Sequence, residues 1–311
     1  MTNIRLLALD LDGTLLGADS RVPQENARAV RLAQEAGVQV ALCTGRNHTE
    51  VLTFNSQLEQ SADWAVIANG AAVVDLHSGA MTPVGGLNRE DCALVRQLSQ
   101  SFGVDACFYT ADTFYYGHAF LEFLREARRR GRISLDETAE GYVFVPDSQG
   151  WDAVLRREEG NVVKAILHHL DPAVVDEMTA ALKKTGRFEL SPSVMYGGAL
   201  KNVELNRRGV HKGAALEKLC AALGISMEAV MAMGDSDNDR TMVELSGLGG
   251  GHGQRPALPY GCGGCRHRRQ HRLRRGAGHP TILQGEIKTG WDDPQCHLVS
   301  GIECRATPEK N

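Results

Sequence analysis

No stretch of the 311 residues approaches the ~18 consecutive apolar positions that a membrane-spanning helix needs, so the sequence predicts none. The sequence predicts no secretory leader either. The apolar run Leu6–Leu9 is broken by Asp10 and Asp12, and no small-residue cleavage site follows. Internal repeats and a Walker-type glycine loop are also lacking. Acidic residues vanish between Glu244 and Glu286. From Ser246 onward ten Lys/Arg face five Asp/Glu, so the formal net charge of −4 divides into +5 there and −9 over residues 1–245. A body that acidic offers nucleic acid no electrostatic footing. Of the eight cysteines, Cys43, Cys92, Cys107 and Cys220 sit in apolar periodic segments, where cysteine behaves as a small hydrophobe. They read as free thiols of a reducing cytoplasm. With 42% hydrophobic and 23% charged residues, a chain of this length has room for two cored domains.

The most informative segment present is Leu6-Leu7-Ala8-Leu9-Asp10-Leu11-Asp12-Gly13-Thr14-Leu15. A buried strand rarely ends in two carboxylates, because burying them unpaired costs several kcal/mol. If the strand's alternation continues, Asp10 and Asp12 project together. Such a pair suits a hard cation such as Mg²⁺; an exposed Asp turn after an edge strand is the alternative. Strand, helix, strand, helix, strand follows over residues 4–10, 24–36, 38–43, 47–58 and 64–68. Pro23 opens the first helix and Gly37 closes it. This alternation predicts an α/β fold with a doubly wound parallel sheet, whose ligands sit beyond the carboxyl ends of the strands. Asp10, Thr44, Asn69 and Asp235 all fall at such ends. From about Met81 to Gly198 the pattern changes to short strands and the helices 88–102 and 172–185, which predicts an inserted α+β domain. Flexible connections are expected near Thr82–Gly86 and Tyr196–Leu200, with the core resuming at Lys201–Leu205. The expected division is thus 1–82 with 199–249, 83–198, and a tail over 250–311.

Four motifs occur in order: Asp10-Leu11-Asp12-Gly13-Thr14, Thr44-Gly45-Arg46, Lys212 heading an apolar-periodic helix, and Gly234-Asp235-Ser236-Asp237-Asn238-Asp239. On these the sequence resembles the haloacid dehalogenase superfamily of phosphohydrolases. It resembles most closely the Cof-type branch, of which Asn69-Gly70-Ala71 is also typical. The resemblance spans residues 3 to about 249. It implies a Rossmann-like core with an inserted cap and hydrolysis of small phosphorylated metabolites such as sugar phosphates. Asp10 is then the nucleophile that forms an aspartyl-phosphate, and Asp12 the general acid and base. Mg²⁺ is implied on the Asp10 carboxylate, the Asp12 backbone carbonyl and Asp235, with Asp239 holding its waters. Thr44 and the backbone at Gly45 contact the phosphoryl group, and Lys212 supplies a compensating cation. Arg46, Asn69 and Asn238 are candidate phosphate or substrate contacts. Each has a structural alternative: an ion pair for Arg46, turn geometry for Asn69, an N-cap for Thr44, a helix's first turn for Asn238 and Asp239, a solvated helix start for Lys212. Within the cap, Tyr116, His118 and Lys164 are expected at the surface. A metal pair at His168-His169 is not expected, since adjacent strand residues face opposite ways. A phosphomutase of the same superfamily, or a non-catalytic remnant, fits the motifs too, and the oligomeric state is left open.

From Gly249 the text is aperiodic and rich in Gly, Arg and His. Cys262 and Cys265 suggest a zinc knuckle on a basic arm, yet regular ligand spacing is missing. A shifted reading frame explains more. With suitable codons, deleting one base near Gly250 turns Gly249–Gly253 into Gly-Val-Ala-Met-Gly. The same shift through residues 264–276 gives Asp-Val-Val-Thr-Ala-Asp-Asn-Thr-Asp-Cys-Gly-Val-Ala. Both are closing patterns of the Cof type.

Overall fold

The structure is a computed structural model that describes residues 3–129, 141–195 and 200–250. The expectations for the tail, including the zinc knuckle and the shifted frame, lie outside the described residues.

The chain begins as β1 (Leu6–Leu9), α1 (Gln24–Glu35), β2 (Gln39–Cys43), α2 (His48–Gln57), β3 (Trp64–Ile67), β4 (Ala72–Asp75) and β5 (Met81–Pro83). It continues through α3 (Arg89–Ser101), β6 (Cys107–Tyr109), β7 (Phe114–Tyr116), α4 (His118–Arg129), β8 (Tyr142–Phe144) and α5 (Ser148–Arg157). Then come β9 (Lys164–His169), α6 (Pro172–Thr185), β10 (Phe188–Met195) and β11 (Leu200–Arg207). The last described elements are α7 (Lys212–Leu223), β12 (Val230–Met233), α8 (Arg240–Leu245) and β13 (Leu248–Gly250).

One sheet has the order β13-β12-β1-β2-β3-β4-β5. Its first five strands run parallel, and β4 and β5 add an antiparallel edge. Strands covered on both faces read as continuous apolar runs, which is why β1 and β12 contain nothing else. Leu7, Leu9, Val40 and Leu42 pack with α1 and α2 on one face. Leu6, Ala8, Ala41 and Val230 pack with α7 and α8 on the other. Helices on both faces make the sheet doubly wound, as the sequence predicts.

The second sheet has the order β10-β11-β9-β6-β7-β8 and is mostly antiparallel. Its one face is filled by side chains from α3, α5 and α6, while part of the other is covered by α4. Here the expected boundary needs correction. Lys201–Leu205 belong to β11, paired with β9 and β10 in this sheet, so the core does not resume at 199. Val203 and Leu205 alternate as predicted, but alternation fixes a face and not a sheet. The first crossing is also pinned rather than flexible. Val84 and Gly85 both donate backbone N–H groups to Ala71 O, and Leu87 N bonds Val162 O at 2.8 Å.

His168 and His169 lie on opposite faces of β9, as expected, and His168 is buried against the Phe120 ring. Neither of its ring nitrogens has a hydrogen-bond partner. Burial, and secondarily the neighbouring His169, lowers its pKa from 6.5 to about 4. Between those values the unfolded chain binds a proton that the fold refuses. Stability is therefore complete above pH 6.5 and is lost as pH falls toward 4, by about 3 kcal/mol. Urea midpoints measured at pH 7 and pH 4.5 should show this loss, and His168→Gln should shrink it. An unchanged acid dependence in that variant would contradict the assignment.

Candidate active site

Backbone geometry at the carboxyl end of β1 decides where the first two acids point. The strand ends at Leu9, and residues Leu11–Leu15 form a tight turn with Asp12 at φ −79°, ψ 114° and Gly13 at φ 85°. Strand alternation therefore stops before Asp12, and the expectation that Asp10 and Asp12 project together is corrected. Asp10 turns inward and is buried; the Asp12 side chain stays half exposed. Gly13 has no substitute, because a Cβ there would sit 2.4 Å from Asp235 Oδ2 and L residues resist the left-handed backbone. That close approach brings the loop after β12 over the end of β1.

Lys212, at the first turn of α7, is fully buried and holds the centre together. Its Nζ donates to Asp10 Oδ1 at 2.7 Å and to Asp239 Oδ1 at 2.6 Å. Asp239 Oδ2 in turn accepts the backbone N–H groups of Asp235 and Ser236 at 3.1 and 3.0 Å. This closes the loop of Asp235–Asp239 on itself. Asp10, Asp235 and Asp239 each bring a carboxylate oxygen within 4.8 Å of the others. Burial pushes the Asp10 carboxyl up to about 7, against the opposing pull of Lys212. Burial would lower Lys212, but the charges of Asp10 and Asp239 outweigh it and hold the ammonium above its ordinary range.

Those residues fit a divalent cation. Asp10 Oδ2 is buried without a hydrogen-bond partner, an arrangement that costs about 1–3 kcal/mol unless something fills it. Three carboxylates against one ammonium leave two negative charges, and carboxylate oxygens are the donors a hard cation takes. The Asp12 carboxylate lies outside this cluster. Arg46 holds it through Nε to Oδ2 at 2.8 Å and Nη2 to Oδ1 at 2.7 Å. Arg46 Nη1 also reaches Glu50 Oε1 at 2.8 Å, and Glu50 completes the capping box of α2 with Asn47. Asn47, not Thr44, is therefore the N-cap. Thr44 is buried at the end of β2, where its Oγ1 accepts Arg46 N at 3.1 Å.

Asn69 and Asn238, each a candidate substrate contact, bond one another, with Asn238 Nδ2 donating to Asn69 Oδ1 at 3.1 Å. Two partners were not foreseen. Glu204 Oε2 accepts from Asn69 Nδ2 at 2.7 Å and from Lys164 Nζ at 2.9 Å. Lys164 Nζ also donates to Gly45 O at 2.7 Å. Lys164 and Tyr116 are thus buried rather than at the surface, whereas His118 is exposed as expected. A lysine inside the apolar run Val162-Val163-Lys164-Ala165-Ile166 was the available signal for the first. Nothing local marks Glu204. The Thr14 hydroxyl is also buried without a partner beside this turn.

An acidic, lysine-balanced centre thus lies at the carboxyl end of a doubly wound α/β sheet. A model of the haloacid dehalogenase-like hydrolase family matches residues 7–251. The chain belongs to that family, in its Cof-type branch. It is 27% identical over 267 residues to phosphatase YwpJ of Bacillus subtilis, covering 79% of this chain and 88% of that protein. To the 5-amino-6-(5-phospho-D-ribitylamino)uracil phosphatase YcsE of the same organism it is 27% identical over 247 residues, covering 79% and 83%. To the pyridoxal phosphate phosphatase YbhA of Escherichia coli it is 26% identical over 257 residues, covering 79% and 86%. A solved haloacid dehalogenase-like hydrolase from B. subtilis superposes with a TM-score of 0.66 at 26% identity, covering 80% of this chain and 89% of that one.

Proposed function

We propose that the chain is a Mg²⁺-dependent phosphatase that hydrolyses small phosphorylated metabolites, such as sugar phosphates, through an aspartyl-phosphate on Asp10. The observation that carries this reading is the Asp10 carboxylate itself. One oxygen is fixed by Lys212 and the other is buried, unpartnered, and within reach of Asp235 and Asp239. A group held so firmly at the end of a strand is pre-aligned for in-line attack, which is most of what phosphoryl transfer requires. Mg²⁺ would be held by Asp10, Asp235 and the Asp12 carbonyl, with Asp239 holding its waters. Bound there, it would supply charge neutralisation for the phosphoryl oxygens and keep the buried Asp10 ionised.

The chain's own residues do the rest. Asp10 Oδ attacks phosphorus, and the leaving alcohol takes a proton from Asp12. Asp12 then removes a proton from water, which attacks the aspartyl-phosphate and releases inorganic phosphate. Arg46 occupies both Asp12 oxygens, so Asp12 leaves this ion pair to carry the leaving group's proton. Thr44 Oγ1 and the backbone at Gly45 are donors for the phosphoryl oxygens, while Asn69 and Asn238 line the substrate side. Three relatives of near-equal identity carry names that give different substrates or none, so the substrate class rests on the family resemblance. Four buried free thiols among the described residues support the reading of a reducing, cytoplasmic compartment. No helix among the described residues is long and apolar enough to cross a membrane, and the acidic body argues against a nucleic-acid partner.

Phosphate release from p-nitrophenyl phosphate and a panel of sugar phosphates tests this reading. Excess EDTA should silence turnover and Mg²⁺ should restore it, with Asp235→Ala weakening the metal response. Full activity in excess EDTA counts decisively against the proposal.

A further inference from the structure

Ala68 and Asn69 both carry left-handed backbone, with φ of 49° and 58°. Two successive non-glycine residues in that region cost roughly 1–3 kcal/mol each, and such strain persists only where surroundings over-determine it. On the core side, Ala68 N bonds Arg46 O at 2.9 Å and Asn69 N bonds Thr44 O at 3.0 Å. The remaining restraints come from the six-stranded sheet. Asn206 Nδ2 donates to Ala68 O at 2.8 Å and to Val163 O at 3.1 Å. Glu204 takes the Asn69 amide, and Lys164 takes the Gly45 carbonyl. Residues 202, 204 and 206 share one face of β11, and 164 one face of β9, so a single surface of the second sheet makes every one of these contacts. Through Asn69 the chain of bonds continues to Asn238, next to Asp239. Asn238 Oδ1 is buried and unpartnered there.

We infer that Lys164 and Glu204 are positioning residues of the reaction centre. They form an ion-paired bridge from the second sheet that sets the strained Ala68–Asn69 turn, the Gly45 carbonyl and the Asn238 amide. The inference rests on the phosphatase reading for its kinetic test. Lys164 is 3% exposed and its Nζ lies 4.7 Å from the Tyr109 ring centroid, so no solvent competes for it. A buried ion pair of this kind adds little net stability over an apolar pair of equal size, and its value lies in specifying one arrangement. The bridge acts on Asn69, Gly45 and, through Asn69, Asn238, whereas Asp10 and Asp239 are held by Lys212.

The test compares the parent with Glu204→Gln, Lys164→Met, Lys164→Arg and the double variant Lys164→Met/Glu204→Gln. Glu204→Gln keeps both size and an acceptor for Asn69. Mislocating a reacting group by about 1 Å can cost about 10²-fold. The expected result is a kcat lowered about 10²-fold in Glu204→Gln and Lys164→Met, with the Mg²⁺ dissociation constant changed less than about threefold. The double variant should be no slower than the worse single one, because both cut the same bridge. Lys164→Arg should regain most of the rate. Inorganic phosphate titrated with Mg²⁺ present gives a readout free of turnover, expected at least about tenfold weaker in Glu204→Gln. A kcat within threefold of the parent, a loss that only tracks the folded fraction by circular dichroism, or equal phosphate affinity in both proteins would overturn the inference. If the parent itself turns over no ester, the function reading fails, and the phosphate titration decides the bridge alone.

Discussion

Asp10→Asn leaves an enzyme that folds, binds metal weakly, and releases phosphate at least about a thousandfold more slowly than the parent. The variant keeps the side chain's shape but removes the nucleophile, and a covalent route without its nucleophile loses most of its rate. Its stability should move the other way. Burial holds the Asp10 carboxyl up near pH 7 in the metal-free protein, so the fold prefers that group neutral. The sign is therefore set. The folded chain binds this proton more tightly than the unfolded one, and stability falls as pH rises from the ordinary carboxylate range through about 7. At pH 8 in EDTA, Asp10→Asn should melt at or above the parent's temperature while showing no turnover. Retained parental activity would remove Asp10 from the mechanism, and a large drop in melting temperature would remove the burial argument.

Lys212→Met carries the second large effect. The lysine is the ion-pair partner of both Asp10 and Asp239, and it is fully buried. Deleting one partner of a buried ionic cluster leaves charge uncompensated and costs about 3–5 kcal/mol. Chemical denaturation in EDTA should show that loss, together with near-complete loss of turnover. The combination Lys212→Met/Asp10→Asn should recover part of the stability and none of the activity, since it removes one of the two stranded carboxylates. A single Lys212→Met as stable as the parent would mean that both acids are already neutral in the fold.

Much of this centre was readable because parallel strands buried on both faces leave plain text. Runs such as Leu6–Leu9 and Val230–Met233 admit only apolar residues, so the polar residue that ends each one stands out. That logic picked out Asp10 and Asp235, whose carboxylates the fold brings together, and Thr44 at the end of β2. It misplaced Asp12, because the turn that follows Asp10 abandons the strand's period of two. Lys164 and Glu204 escaped for another reason. Each is explained only by a partner on a different strand, and sequence spacing carries no record of that pairing. The antiparallel strands β4 and β5 are too short to show a period, and α4 follows the aromatic strand β7 so closely that the two merge as one hydrophobic segment.

The membership of β11 in the second sheet bears on how such a protein can be rebuilt by recombination. A chimera that exchanged residues 83–198 would strip β11 of both its antiparallel neighbours and expose a long unpaired edge. Cutting after Val84 and after Arg208 instead would transplant the sheet whole. It would also carry Glu204 and Asn206 with it, so the recipient would inherit part of a foreign reaction centre along with the foreign lid.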